Sequence, residues 1–233
     1  MSEENPVPLS RLPDFDPRRV PVAAVDAHLP QVAASRLRAD ALRQRFAAPP
    51  AWQPELRAEP RFTDRAPAAA AVLVPLVLRE QPTLLLTQRT LHMNTHSGQV
   101  AFPGGKADPD DVDAAATALR EAEEEIGLAR RWVEVLGALP TYTTGTRFVV
   151  TPVVALVDPA HQLALNADEV AAAFEVPLAY LLDPANHRRH AMEVLGARRE
   201  WFSMPWCEPD GTERFIWGAT AGMLRNLYRF LQA

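Results

Sequence analysis

Alternating strand-like and helix-like segments after about residue 66 are the feature that most constrains how this chain folds. Short apolar runs bounded by turn residues predict strands, and longer runs with a helical apolar period predict helices. The strand-like segments cover residues 71–78, 83–89, 133–139, 147–157, 201–204 and 214–217. The helix-like segments cover residues 113–126, 168–174, 177–182 and 219–231. We therefore expect an α/β or α+β fold with a mixed β-sheet.

Residues 1–65 differ in character from the rest of the chain. Six prolines precede residue 31 and forbid long regular elements there. Residues 32–47 then carry apolar side chains at a spacing that predicts a helix. This part of the chain is too small to hold a core alone. We therefore expect an N-terminal arm at residues 1–65, docked on a main domain at residues 66–233.

The composition excludes several classes of protein. Hydrophobic residues make up 48% of the chain and charged residues 23%, which is ordinary for a globular protein and excludes gross disorder. The longest nearly apolar run, residues 66–78, contains two prolines and is shorter than the roughly 20 residues of a membrane-spanning helix. The net charge is −5, so no overall positive field would attract nucleic acid.

The N-terminus and the cysteine content bear on where the protein works. The first residues lack a basic segment followed by an apolar stretch, so we expect no signal peptide. Cys207 is the single cysteine, which excludes an internal disulfide and fits a reducing compartment. We therefore expect a cytoplasmic protein without membrane or nucleic-acid partners.

The predicted helix at residues 113–126 places three carboxylates on one side. Successive helical residues are about 100° apart, so Glu121, Glu124 and Glu125 fall within one arc roughly opposite Leu119. Carboxylates at positions i, i+3 and i+4 repel each other. A solvated acidic face would explain this pattern, and so would a divalent cation that offsets the repulsion.

A glycine-rich run upstream favours the cation. Gly105, at the end of Phe102-Pro103-Gly104-Gly105, lies fifteen residues before Arg120. Glycines allow a tight loop whose carbonyls can approach a cation on the helix face. Mg²⁺ takes a few carboxylates, waters and phosphate oxygens rather than a complete protein cage. The loop and the helix together therefore predict a magnesium site.

The order of these residues resembles the Nudix hydrolase family, whose box reads G-x5-E-x7-R-E-U-x-E-E-x-G-U, with U apolar. Gly105 is followed after five residues by Asp111, and after eight more by the run from Arg120 to Leu128. Asp111 thus replaces the first glutamate, and the spacer is one residue longer. The resemblance implies a Nudix fold, in which a mixed sheet lies between α-helices, and bound Mg²⁺ or Mn²⁺. The metal ligands that it implies are Glu121, Glu124, Glu125 and Gly105, and the catalytic residues are Glu121, Glu124 and Arg120, which orients the glutamates.

A second block, residues 85–105, resembles the coenzyme A pyrophosphatase branch of that family. The motif of the branch reads L-L-T-x-R-[SA]-x3-R-x3-G-x3-F-P-G-G, and the glycine and FPGG spacings match in full. Thr90 stands where the motif has Ser or Ala, and Asn94 stands where it has a second arginine. The substrate-binding residues that the resemblance implies are Arg89, Asn94, Gly98, Phe102, Gly104 and Arg147.

Two of these positions leave alternatives open. Arg89 either contacts a substrate phosphate or ends a strand and pairs with a box glutamate. Asn94 offers a neutral contact where the motif has a cation, and His92, His96 or Arg147 could compensate for it.

The reaction that the resemblance implies is hydrolysis of the diphosphate of coenzyme A, or of its thioesters or oxidised forms, to 3′,5′-ADP and 4′-phosphopantetheine. A carboxylate that is not committed to metal must take the proton of the attacking water, and both Glu121 and Glu169 are open for this role. Asn94 keeps open a Nudix pyrophosphatase for ADP-ribose or NADH. A non-catalytic nucleotide-binding module is a further alternative. The arm could dock in cis or mediate a homodimer.

His187 and His190 are a further pair of possible metal ligands, but their spacing is weak evidence for a metal site. His187 and His190 lack cysteine or carboxylate partners at the spacing of a structural zinc site. We therefore expect a surface loop at this position rather than a metal centre.

Overall fold

The computed structural model describes residues 15–61, 63–90, 98–194 and 197–233. Within these ranges the chain forms twelve strands and four α-helices. The strands are β1 (Val22–Val25), β2 (Ala68–Val77), β3 (Thr83–Arg89), β4 (Val100–Ala101), β5 (Gly104–Lys106), β6 (Val133–Ala138), β7 (Tyr142–Thr143), β8 (Phe148–Val157), β9 (Val170–Pro177), β10 (Arg188–Val194), β11 (Ala197–Cys207) and β12 (Glu213–Trp217). The helices are α1 (Ala39–Ala47), α2 (Ala114–Ile126), α3 (Leu178–Leu181) and α4 (Gly218–Gln232).

The main sheet is mixed and is built around β2. This strand pairs in parallel with β8 along its whole length and antiparallel with β3 and β5. The strand order is β4-β3-β2-β8-β6, while β9 pairs with β3 and β7 pairs with β8. The small and β-branched residues of β2 and β8 suit strands that are covered on both faces.

Helices cover both faces of this sheet. Alternate residues of β2 point to opposite faces, so Leu73 and Val77 pack with Ala118, Ala122 and Ile126 of α2. The opposite face packs against α4 and a second sheet, and its larger core is formed by residues that include Val74, Leu76, Met204, Leu224 and Leu227. The predicted mixed sheet between α-helices is confirmed.

The second sheet contains a strand from the N-terminal part of the chain. Its order is β1-β10-β11-β12, and every neighbouring pair is antiparallel. The helix predicted at residues 32–47 is divided into a 3-10 turn at Ala34–Leu37 and α1, because Arg38 between them has an extended backbone (φ −74°, ψ 151°).

Two predictions along the chain are wrong. Residues 168–174 do not form a helix, because β9 pairs in antiparallel register along β3 and this pairing outweighs the helix propensity of its alanines. The sequence between the predicted strand at residues 83–89 and the predicted helix at residues 113–126 predicts only a glycine-rich loop, but it contains the short strands β4 and β5. Residues 91–97 lie outside the described residues.

The surface loop predicted around His187 and His190 is also wrong, because both side chains are buried. His187 accepts a hydrogen bond at Nδ1 from Arg225 (3.0 Å), which leaves Nε2 to donate to the Leu181 carbonyl (2.8 Å). His190 contacts the hydroxyl of Ser203 through Nε2 (2.8 Å). Their partners lie on other elements, so spacing along the chain could not reveal this burial.

Acid is expected to weaken the fold through His187. Burial, together with the nearby charge of Arg225, lowers the pKa of His187 to about 4, against about 6.5 in the unfolded chain. Because the unfolded state binds the proton more readily, this stabilisation is complete above about pH 6.5 and is lost as the pH falls towards 4. We expect wild type to lose about 2 kcal/mol relative to His187→Gln between pH 7 and pH 5.

Urea unfolding of both proteins at several pH values measures this difference. The variant is necessary as a reference, because a carboxyl whose pKa is raised on folding, such as that of Glu125, changes stability with pH in the opposite direction. A difference between the two proteins that does not depend on pH would contradict the assignment.

Candidate active site

Helix α2 begins and ends with the signals that its sequence carries. The side chain of Asp113 accepts a hydrogen bond from the Ala116 N–H (2.7 Å) at the N-terminus. Gly127 follows the last turn in a left-handed conformation (φ 66°), and its N–H donates to the Glu123 carbonyl (3.0 Å). Between these caps, Glu121 and Glu125 of the helix face Gly105 and Gly104 of β5.

Glu125 is the most buried of the box glutamates, with 3% of its surface exposed. Its carboxylate accepts a hydrogen bond from the Gly104 N–H (3.1 Å) and pairs with the guanidinium of Arg89 (3.3 Å). Burial raises the pKa of Glu125 to about 7, and the charges of Glu121 and Glu169 act in the same direction. The site therefore concentrates negative charge that the nearby arginine does not fully offset.

Glu121 lies against the glycine loop. A Cβ atom at Gly105 would come within 2.5 Å of the Glu121 carboxylate, so only glycine leaves room for it. Burial raises the pKa of Glu121, and the charges of Glu124 and Glu169 add to this effect. Glu169 is held beside the end of β3, next to Arg89, because the Thr90 N–H donates to the Glu169 carbonyl (3.0 Å). The cluster thus includes both carboxylates that the sequence leaves open as the base.

Arg120 is held by Asp111, the residue that departs from the Nudix box. Two guanidinium nitrogens of Arg120 donate to the Asp111 carboxylate (3.2 and 3.0 Å), and one also reaches the Lys106 carbonyl (3.1 Å). Its remaining nitrogen pairs with Glu121 and Glu124 (3.0 Å each). The Arg120 guanidinium holds the pKa of Asp111 well below its usual range. The spacing along the chain did not reveal this role of Asp111, because it depends on the contact with Arg120 in the folded structure.

Arg89 and Gly104 of the second block lie at the same cluster, because both contact the Glu125 carboxylate. The sequence left two interpretations of Arg89 open, a contact with a substrate phosphate or an ion pair with a box glutamate. The structure shows the ion pair, with Glu125. Gly98 adopts a left-handed turn (φ 68°), and its carbonyl accepts a hydrogen bond from Gln88 (3.2 Å). Gly104 has a φ of 153°, and a Cβ atom there would come within 2.4 Å of the Ala71 carbonyl oxygen.

The other predicted substrate-binding residues have different surroundings. Phe102 is buried in the larger core, where it anchors the loop before β5. Arg147 lies in the turn before β8 and makes no contact with the glutamates within the part of the chain that the structure describes. Asn94, His92 and His96 lie outside the described residues.

The donor set fits a hard divalent cation. Glu121, Glu124 and Glu125 offer carboxylate oxygens beside a loop where even a methyl group at Gly105 would clash. Within the described ranges, no three His, Cys, Asp or Glu side chains come together closely enough to hold a metal ion by themselves. Mg²⁺ does not require a complete protein cage, because waters and substrate oxygens complete its coordination.

Gly105→Ala is expected to lower kcat/KM by about 100-fold, because an ångström-scale displacement of a catalytic group has effects of this size. The added methyl group would displace the Glu121 carboxylate, while the backbone at Gly105 is not left-handed and accepts alanine. Steady-state kinetics and thermal unfolding measure the two effects. Gly211→Ala is the control for activity, since nothing lies within 4 Å of its Cβ position, although its left-handed backbone (φ 89°) is expected to lower the Tm of this variant. Equal activity of the two variants would show that the contact has no function.

No helix in the described part of the chain is long and apolar enough to cross a membrane.

Comparison with known proteins extends the resemblance found in the sequence. Residues 67–197, over half of the chain, match the family profile described as NUDIX domain. The uncharacterized Nudix hydrolase NudL of Escherichia coli strain K12 is 47% identical over 161 residues, which cover 68% of this chain and 80% of the relative. NudL of E. coli O7:K1 is 46% identical over the same shares. Among solved structures, a Caenorhabditis elegans Ap4A hydrolase complex is similar at 22% identity and a TM-score of 0.41, covering 51% of this chain and 85% of that one. The profile match and the identity with NudL show that this chain belongs to the Nudix hydrolase family.

Proposed function

We propose that this Nudix hydrolase is a Mg²⁺-dependent diphosphatase of coenzyme A or its derivatives. The products would be 3′,5′-ADP and 4′-phosphopantetheine, or the acylated form of the latter. The observation that carries this proposal is the match of residues 85–105 to the motif of the coenzyme A branch. The pair between Arg89 of this block and Glu125 of the Nudix box supports it, because it brings the two blocks to one site.

The surroundings of the cluster support a site for a diphosphate. Gly104 brings the backbone close to the glutamates, because its N–H donates to Glu125 (3.1 Å). Arg89 pairs with the same buried carboxylate, and a guanidinium at this position suits a substrate phosphate. A net charge of −5 makes such local cations necessary for an anionic substrate.

We assign the metal to Glu121, Glu124 and Glu125, with a carbonyl at Gly105. Bound metal would supply charge neutralisation for the phosphate oxygens and a lower pKa for water. Arg120 holds Glu121 and Glu124 in position through its own attachment to Asp111.

A carboxylate takes the proton of the attacking water. Glu121 and Glu169 are both close enough to influence the charge of Glu125, and either carboxylate can accept this proton. Replacing each by glutamine, with the pH dependence of kcat measured for both, distinguishes the base from a metal ligand.

We also propose that residues 1–65 act as an arm on a Nudix domain at residues 66–233. The pairing of β1 with β10 supports this arrangement. Trp52 and Phe46 support it further, because both rings contact Phe230 of α4 (centroid distances 5.2 and 4.8 Å).

A substrate panel tests the proposed activity. We would compare kcat/KM for coenzyme A, acetyl-coenzyme A, ADP-ribose and NADH at one Mg²⁺ concentration. The proposal expects kcat/KM for coenzyme A or its thioester to exceed the others by about 10-fold or more, as a site that contacts several polar groups of its substrate discriminates strongly. Faster turnover of ADP-ribose or NADH would retain the Nudix chemistry and reject coenzyme A as the substrate. An absence of turnover with all four would favour a nucleotide-binding module.

A further inference from the structure

The turn between β7 and β8 places an arginine where the backbone favours glycine. The Arg147 N–H donates to the Thr144 carbonyl (2.8 Å), and Arg147 itself is left-handed, with a φ of 69°. A left-handed residue after such a turn is usually glycine, because a side chain strains the backbone there. Arg147 is the one non-glycine residue with positive φ among those that the structure describes.

In the part of the chain that the structure describes, no contact of the Arg147 side chain compensates for this strain. Within the described ranges, the side chain of Arg147 makes no hydrogen bond, ion pair or ring contact. A residue that breaks a local rule without an internal compensation is expected at functional positions rather than structural ones.

The rest of the turn is firmly held, which allows it to keep a strained residue. The carboxylate of Glu59, from the N-terminal arm, accepts hydrogen bonds from the Tyr142 hydroxyl (3.3 Å) and the Gly145 N–H (2.9 Å). The hydroxyl of Thr144 accepts a hydrogen bond from the Phe148 N–H (3.1 Å). The backbone position of Arg147 is therefore set by its neighbours and not by its own side chain.

Arg147 lies at the end of the sheet that carries the glycine loop. Its carbonyl accepts a hydrogen bond from the Ala68 N–H on one side of β2, while Gly105 pairs with Ala71 on the other side. Because Ala68 pairs with Phe148, Arg147 lies level with residue 67, four residues along β2 from the partner of Gly105. With two strand spacings across the sheet, Arg147 and Gly105 are separated by roughly 16 Å. An extended arginine covers part of this distance, which suits a substrate group that stands away from the diphosphate.

We infer that Arg147 binds an anionic group of the substrate that lies apart from the diphosphate. The inference rests on the proposed function, and for coenzyme A the group is the 3′-phosphate. A guanidinium that is unpaired within the described structure is well suited to a phosphate, because it offers parallel N–H donors and a permanent positive charge.

Binding of two nucleotides tests this assignment without turnover. Isothermal titration would compare 3′,5′-ADP with 5′-AMP, which differ in the 3′-phosphate alone. Wild type should bind 3′,5′-ADP about 10-fold more tightly, the effect of one charge-assisted contact, and Arg147→Gly should bind both equally. The Tm of Arg147→Gly should stay unchanged or rise by about 2 °C, because glycine relieves the backbone strain.

Two further variants separate charge from position. Arg147→Lys should retain part of the preference for 3′,5′-ADP, whereas Arg198→Ala, which removes an exposed positive charge from β11, should retain all of it. A full preference in Arg147→Gly, or none in wild type, would overturn the assignment even if coenzyme A is hydrolysed. Loss of the preference in Arg147→Gly, together with no hydrolysis of coenzyme A, would reject the proposed substrate and leave the phosphate site standing.

Discussion

Glu125→Gln is expected to lower kcat by about 10³-fold, the scale on which loss of a preorganised electrostatic group acts in an active site, while the protein stays folded. Glutamine keeps the shape of the side chain but offers a metal one neutral oxygen instead of a carboxylate. The fold should tolerate the change, because burial already raises the pKa of Glu125 to about 7 and makes its charged form unfavourable. Steady-state kinetics with Mg²⁺ and a thermal unfolding curve measure both quantities.

Glu123→Gln on the same helix is the matched control. Its side chain is 52% exposed, and among the described residues its carboxylate forms one ion pair, with Arg130 at 3.8 Å. This variant should keep wild-type kcat, since Glu123 faces away from Gly104 and Gly105. If Glu125→Gln and Glu123→Gln retained the same activity, α2 would be an ordinary solvated acidic helix and the metal assignment would fail.

Arg225→Met is expected to lower the free energy of unfolding by about 3–5 kcal/mol, the effect of removing one partner from a buried ion pair. Arg225 is completely buried and pairs with Asp26 (2.8 Å) and Glu55 (2.7 Å), both from the N-terminal arm. Methionine fills similar space but removes the one fully buried cation from two carboxylates, which keep only their partly exposed partners Arg189 and Arg229. Because a typical domain is stable by about 5–15 kcal/mol, the variant should unfold at a clearly lower urea concentration.

Arg229→Met is the control for this experiment. Arg229 lies one helical turn further along α4 and also pairs with Glu55 (2.6 Å), but 36% of its side chain is exposed. Its removal should lower the free energy of unfolding by about 1 kcal/mol or less, as for other pairs in contact with water. Equal losses for the two variants would contradict the view that the buried cluster attaches the arm.

Local patterns predicted the parts of the fold that depend on nearby residues. The boundaries of α2 follow from Asp113 and Gly127, which act within one helical turn of the residues that they cap. Its apolar stripe and its glutamates follow from the helical period alone. The strands β2, β3 and β8 were predicted because their runs are short, apolar and bounded by turn residues.

Features that depend on remote partners were not predicted. Strand β9 exists because it pairs with β3, some 85 positions earlier in the chain, and its alanines favour a helix in isolation. His187 is buried because Arg225, 38 positions later, completes its hydrogen bonds. In the site, the role of Asp111 likewise depends on a contact in the folded structure, because its carboxylate accepts two hydrogen bonds from Arg120.

Identification of products from coenzyme A tests the central claim most directly. The protein would be incubated with coenzyme A and Mg²⁺, with and without a chelator and with Glu125→Gln in parallel, and the products would be identified by mass. We expect 3′,5′-ADP and 4′-phosphopantetheine from wild type with Mg²⁺, and neither product after chelation or from the variant. Intact coenzyme A under conditions in which the same sample hydrolyses another diphosphate, or cleavage that persists with the chelator, would contradict the account.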